Sequence, residues 1–112
     1  MFDQITFQRV EGKHPGPKIQ FLALSTCGFC RRGQDFLAEV GLGYEYVHLD
    51  LLDPEVKAGV KAEFKDKFGT TLSYPALVVD GERQTVGFVR RHWETFLGAG
   101  GEGTVSEAEP VE

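Results

Sequence analysis

At 112 residues, with 41% hydrophobic and 26% charged side chains, the chain has the size and composition of one small globular domain, not of a disordered segment. Its formal net charge of -5 argues against a nucleic-acid or anionic-membrane partner held by bulk charge, and no apolar run exceeds Phe21 to Leu24, far short of the roughly 18 residues of a membrane span. Met1 to Gln4 lacks the basic flank and apolar stretch of a secretory signal. The acidity gathers at the end, in Glu102, Glu107, Glu109 and Glu112, so the remainder is close to neutral.

Ile5 to Val10 alternates with period two, and His14-Pro15-Gly16-Pro17 then forces a turn; residues 1–18 read as an ordered lead-in or an extra edge strand. Ile19 to Leu24 is a nearly continuous apolar run of strand length, suited to a strand covered on both faces. Beyond Cys30 the pattern turns helical, with Gly33, Leu37 and Val40 on one face and Gly41 and Gly43 at the stop. Tyr44 to Asp50 alternates again as a second strand. Asp53-Pro54-Glu55 is a helix start, with Asp at the cap, Pro in the first turn and an acid at the positive dipole end. Val56, Val60, Phe64 and Phe68 continue that helix as one apolar stripe until Gly69.

Pro75 to Val79 and Thr85 to Val89 read as strands joined by an Asp80-Gly81-Glu82-Arg83 hairpin turn, and Arg91 to Leu97 as a last short helix. From Gly98 the chain is rich in Gly and Glu, so 99–112 is expected to be a disordered acidic tail. The order strand, helix, strand, helix, strand, strand, helix predicts an α/β fold over residues 19–98. Its four-stranded mixed sheet carries helices on both faces, with one parallel crossover and one antiparallel hairpin.

The two cysteines, Cys27 and Cys30, exclude a disulfide-scaffolded secreted domain and make a cytoplasmic setting the default. They stand where a strand hands over to a helix. Two intervening residues let the sulfurs close a small ring across the first helical turn, where free N–H groups and the helix dipole favour a thiolate. Arg31 and Arg32 oppose that dipole, a local inconsistency that points to function, and their charge would favour the thiolate of Cys27 further. A plainly solvated arginine pair is the alternative. For the cysteines the alternatives are two small buried hydrophobes or half of a metal site. The remaining metal candidates, His14, His48 and His92, are scattered singly along the chain, so dithiol chemistry without a metal is the better reading.

The stretch Leu24-Ser25-Thr26-Cys27-Gly28-Phe29-Cys30-Arg31-Arg32-Gly33-Gln34-Asp35-Phe36-Leu37 resembles the active-site segment of glutaredoxins. Tyr74-Pro75 ahead of Ala76 to Gly81 is similar to the family's cis-proline strand and Asp-Gly hairpin. Val86-Gly87-Phe88 looks closer to the glutaredoxin-like redoxins that serve ribonucleotide reductase. The resemblance covers residues 19 to 98. It implies a thioredoxin-like fold, Cys27 as the attacking thiolate, Cys30 as the resolving thiol, and a cis Tyr74-Pro75 bond whose backbone faces Cys27 and pairs with extended substrate.

Phe29 and Tyr74 would line the approach, and Gly87-Phe88 would close the far wall. The chain departs from glutathione-using members at Leu24, where they carry Lys, and at Tyr74, where they carry Thr or Val. It departs again at Gly87 to Arg91, where they carry Gly-Gly and an acid. Arg90 and Arg91 are candidates for meeting glutathione carboxylates in their place.

The implied activity is thiol–disulfide exchange on protein disulfides or glutathione mixed disulfides, with glutathione or a thioredoxin reductase as electron donor. No cofactor is needed, since the electrons travel on sulfur, although glutathione stays open as a co-substrate. Two other classes stay open. One is an iron–sulfur carrier, with Cys27 of two subunits and two external thiols holding a [2Fe–2S] cluster. The other is a non-catalytic binding module with a groove at Tyr74 and Phe88.

Overall fold

Five strands and three α-helices make up the computed structural model, which describes residues 2–98; the tail expected at 99–112 lies outside them. In chain order they are β1 (Gln8–Val10), β2 (Ile19–Ala23), α1 (Gly28–Val40), β3 (Tyr44–His48), a 3₁₀ turn (Leu49–Leu51), α2 (Pro54–Phe68), β4 (Ala76–Val79), β5 (Arg83–Val86) and α3 (Arg90–Leu97). The sheet runs β1-β3-β2-β4-β5, with β2 and β3 parallel and every other pair antiparallel.

The unbroken apolar run of β2 follows from its place in the middle of the sheet, where all of its residues are buried. Ile19, Phe21 and Ala23 face one core with Phe36, Leu37 and Trp93 of α1 and α3. Leu22 faces a second core with Val60 and Phe64 of α2. The stripe read along α2 is the one that packs, with Val56 and Phe68 partly buried at its ends. Asp53 does stand at the cap position of α2, but its carboxylate makes no capping bond.

The expected four-stranded sheet needs correction. The lead-in supplies a fifth strand, β1, paired antiparallel with β3 in the register Gln8↔Tyr46 and Val10↔Tyr44. Beyond β1 the lead-in fastens to the end of α1, where Lys13 and His14 donate backbone N–H groups to the Gly41 carbonyl at 2.8 and 3.0 Å. Gly12 lies so close to Gly43 that a Cβ on it would stand 2.1 Å from the Gly43 nitrogen. Phe2, which carried no signal in the sequence, is 1% exposed in the α2-side core, and its N–H donates to Glu63 at 3.1 Å.

The last strand also differs, covering Arg83–Val86 in place of Thr85–Val89. Asp80 and Gly81 take φ of 55° and 70°, which turns the chain at once after Val79 and starts the ladder at Val79↔Arg83. Gly87, at φ 78°, then leads the chain out of the strand.

Helices α1 and α3 approach closely because Gly33 has no side chain: a Cβ there would lie 2.9 Å from the Trp93 ring and 3.1 Å from Phe21. Trp93 is fully buried and donates its Nε1–H to the Gly87 carbonyl at 3.0 Å, which ties α3 to the end of β5. None of the helices among the described residues is long and apolar enough to cross a membrane.

Candidate active site

Cys27 is the cap residue of α1, with extended backbone (φ -98°, ψ 117°). Its sulfur accepts the Cys30 backbone N–H at 3.2 Å, in the place a capping oxygen would take. One first-turn N–H therefore points at sulfur, and no acid occupies that turn to compete for it. Both thiols are free. Cys27 is partly exposed, whereas Cys30 is buried at 3% exposure. Burial, with the Cys27 side-chain contact and the charge of Asp50 adding to it, pushes the Cys30 thiol up to about 12. The two positions thus divide reachability from burial: Cys27 is open to an approaching disulfide and Cys30 is not.

The loop that carries Cys27 is anchored on its far side. Asp50, in the 3₁₀ turn after β3, accepts the Ser25 backbone N–H at 2.9 Å and the Ser25 hydroxyl at 2.5 Å. Those two donors hold the Asp50 carboxyl below its ordinary range. Parallel pairing of β2 with β3 sets Ala23 beside His48, so the two strands end together and their following loops meet.

The cis bond implied by the resemblance is present at Tyr74-Pro75. The β2–β4 register ends at Leu22↔Ala76, and carried two steps further it sets Leu24 across from Tyr74. Tyr74 is half-buried and packs on both cores, the first of which also holds Cys30 and takes Cys27 against its rim. Gly87 donates its N–H to the Pro75 carbonyl at 2.7 Å, which binds the end of β5 to the proline turn.

A cleft of about 610 Å³ opens over Cys27. Of the residues singled out in the sequence, Cys27, Cys30, Arg31 and Arg32 line it, joined by Leu24, Ser25, Thr26, Gly28, Gln34 and His48. Phe29, Tyr74, Pro75, Gly87 and Phe88 are not in its wall. Phe29 is 58% exposed, with the Arg32 guanidinium 5.4 Å from its ring centroid. The Phe88 ring packs edge-on against Trp93 at 4.8 Å and lies 6.1 Å from Phe36, so it serves the core. The ion pairs among the described residues involve neither Arg31 nor Arg32, and both residues line the cleft, the Arg32 guanidinium lying against the Phe29 ring at its edge. Arg90, in contrast, is engaged by Glu39 and Glu94.

His48, Gln34 and Asp50 belong to the site, where sequence reasoning weighed His48 only as a metal ligand and gave Gln34 and Asp50 no role of their own. The available signal was the parallel crossover itself, which brings the ends of both parallel strands to one edge of the sheet. Among the described residues no three His, Cys, Asp or Glu side chains gather as metal ligands would.

The glutaredoxin family model matches residues 18–84, more than half of the chain. No curated protein matches it. Among solved structures, the glutaredoxin from Methanosarcina mazei Go1 is 26% identical with a TM-score of 0.69, over 84% of this chain and 89% of that one. The methanoredoxin from Methanosarcina acetivorans is 31% identical with a TM-score of 0.65, over 78% of this chain and 90% of the other. The glutaredoxin from Archaeoglobus fulgidus is 25% identical with a TM-score of 0.61, over 70% and 84% of the two chains. The family match over more than half of the chain, together with the mixed sheet and helices it shares with these structures, settles the assignment: the chain belongs to the glutaredoxin family and has the thioredoxin-like fold.

Proposed function

We propose that this protein is a dithiol–disulfide oxidoreductase in which Cys27 attacks and Cys30 resolves. The observation that carries the reading is the division between the two sulfurs: Cys27 is reachable at a helix N-terminus, where it accepts the Cys30 backbone N–H at 3.2 Å, and the Cys30 thiol is buried with its proton held on. The Cys27 thiolate attacks one sulfur of a substrate disulfide, forming a mixed disulfide and expelling the other sulfur as a thiol. Cys30 then attacks Cys27, which releases the second substrate thiol and leaves a Cys27–Cys30 disulfide. Two electrons pass to the substrate without a cofactor.

Protein disulfides and glutathione mixed disulfides are the substrate classes this chemistry serves. Arg31 and Arg32 favour anionic partners, and the backbone of Tyr74 offers a short edge for an extended substrate segment. The electron donor is glutathione or a thioredoxin reductase, and a reducing, cytoplasmic compartment suits the free thiols. The reading is tested with Cys27→Ser, which should abolish reduction of a small disulfide, and with Cys30→Ser, which should accumulate mixed disulfides. Equal tolerance of both substitutions would overturn it. NADPH consumption coupled through glutathione and its reductase, compared with thioredoxin reductase, identifies the donor.

A further inference from the structure

The cleft over Cys27 does not stand alone, because His48 is a wall of two recesses. On its other side lies a second depression of about 270 Å³, lined also by Thr6, Gln8, Tyr46, Leu51 and Leu52. Tyr46 and His48 share one face of β3, with their rings 5.4 Å apart. Gln8 is the register partner of Tyr46, and the same register carried two steps further sets Thr6 across from His48. In the 3₁₀ turn Leu49 is fully buried, whereas Leu51 is 71% exposed and lines the depression. A single exposed leucine needs no explanation, but this one helps to wall a recess that adjoins a reactive thiol. Thr6 and Gln8 precede residues 18–84 that match the family model, so the lead-in and not the matched domain builds this outer wall.

We propose that the depression receives one large apolar side chain of a protein substrate whose disulfide lies over Cys27. This rests on the dithiol reading above and narrows its substrate class to protein disulfides. Because His48 borders both recesses, a segment with its sulfur at Cys27 passes over His48 and reaches the second one. Neighbouring strands lie about 4.8 Å apart, so β1, two places from β2, stands roughly 10 Å away. An extended segment covers that distance in about three residues. At about 270 Å³ the space falls below the roughly 300–1,000 Å³ of sites for drug-sized ligands, and it suits one side chain.

The chemistry of the two recesses differs. Arg31 and Arg32 line the cleft over Cys27, whereas no Asp, Glu, Lys or Arg among the described residues lines the depression. Two rings and two leucines there reward the burial of apolar surface, with Thr6 and Gln8 as a polar rim. Glutathione has no apolar side chain to place in it and gains nothing from it. A protein segment with leucine near its cysteine gains on each encounter.

The test uses short peptides with one cysteine joined through a disulfide to 5-thio-2-nitrobenzoate. Cys27 attacks the peptide sulfur, a Cys27–peptide bond forms, and the coloured thiolate leaves with the electron pair of the broken bond. Leucine is placed in turn two or three residues to either side of the cysteine, with serine at the same place as the reference. The wild-type protein is expected to release dye from the best leucine peptide roughly tenfold faster than from its serine counterpart. That advantage is expected to disappear in Leu51→Ser, which removes an apolar wall, and in Thr6→Trp, which fills the space. The ratio within each protein is the readout, since a general disturbance of the site slows both peptides alike. Equal rates for leucine and serine at every position in the wild type would overturn the proposal, as would an advantage that survives in either folded variant. Should one variant fail to fold, the other decides. Equal rates in a wild type that runs as a dimer on gel filtration would give the depression to a second copy of the chain and overturn the proposal in that way. Failure of the wild type to release dye from any peptide would strike the dithiol reading itself.

Discussion

Asp50 grips Ser25 by both backbone and side chain, at 2.9 and 2.5 Å, two residues ahead of the sulfur that caps α1. The turn after β3 thereby fixes the entry to the helix on which the thiols depend. Asp50→Ala should leave the fold in place and lower disulfide reductase turnover by roughly tenfold, because small displacements of a reacting atom weigh heavily on rate. A steady-state assay with a small disulfide checks this.

The same pair predicts a response to acid. The folded protein holds the Asp50 carboxyl below its ordinary 3.8, so its contribution to stability is present above 3.8 and is lost as pH falls through the lower folded value. Melting temperature followed from pH 5 downward should fall less steeply in Asp50→Asn than in wild type. Parallel slopes would show that the anchor carries no linkage.

At the alkaline end the sign reverses. Cys30 keeps its proton to about 12 in the fold against 9.0 without it, so the stabilisation is full below 9.0 and disappears as pH climbs toward 12. Replacing Cys30 with Ala should remove part of the alkaline loss of stability of the reduced protein, as read by thermal melts at pH 8 and above. At neutral pH, mass spectrometry after brief iodoacetamide treatment should find Cys27 modified and Cys30 intact.

Charge at the cleft mouth should select among substrates. Reversing Arg31 and Arg32 to Glu is expected to slow reduction of oxidised glutathione, which is anionic, by about tenfold at low salt, and much less at high salt. Cystamine, which is cationic, should be reduced no more slowly. Equal effects on the two disulfides would remove the arginines from substrate choice.

Gly33→Ala is expected to cost about 1–3 kcal/mol, because the new methyl would press on the Trp93 and Phe21 rings deep in the core, where little can give. Chemical denaturation of the two proteins compares them directly. Phe2→Ala should cost about 3–5 kcal/mol by the opposite route, a cavity under α2.

Phe2 also marks where the sequence stopped being legible. The thiol pair, the apolar run of β2 and the stripe of α2 were all local patterns, and each became the element it suggested. The cis bond at Tyr74-Pro75 came through resemblance, since nothing in a Tyr-Pro dipeptide fixes its isomer. Phe2 escaped because its partners on α2 lie dozens of residues away, whereas the alternation of Ile5 to Val10 left an edge strand open against a plain lead-in, and the structure takes the strand at Gln8–Val10. His48 and Asp50 looked like ordinary members of an alternating strand. Their place near Cys27 follows from the parallel β2–β3 crossover, which the element order already implied but whose register, Ala23 beside His48, only the folded chain displays.

The lead-in strand has an effect on how the molecule meets its own kind. Without β1, the β3 flank would present a row of vacant amides and carbonyls on which a second chain could zip. With it, the rim offered to the outside is three residues long, headed by polar Gln8 and Arg9, and the lead-in then turns off to clasp Gly41. So brief a ladder offers another sheet little purchase, and the edge strand thereby narrows the surface on which a second copy could pair.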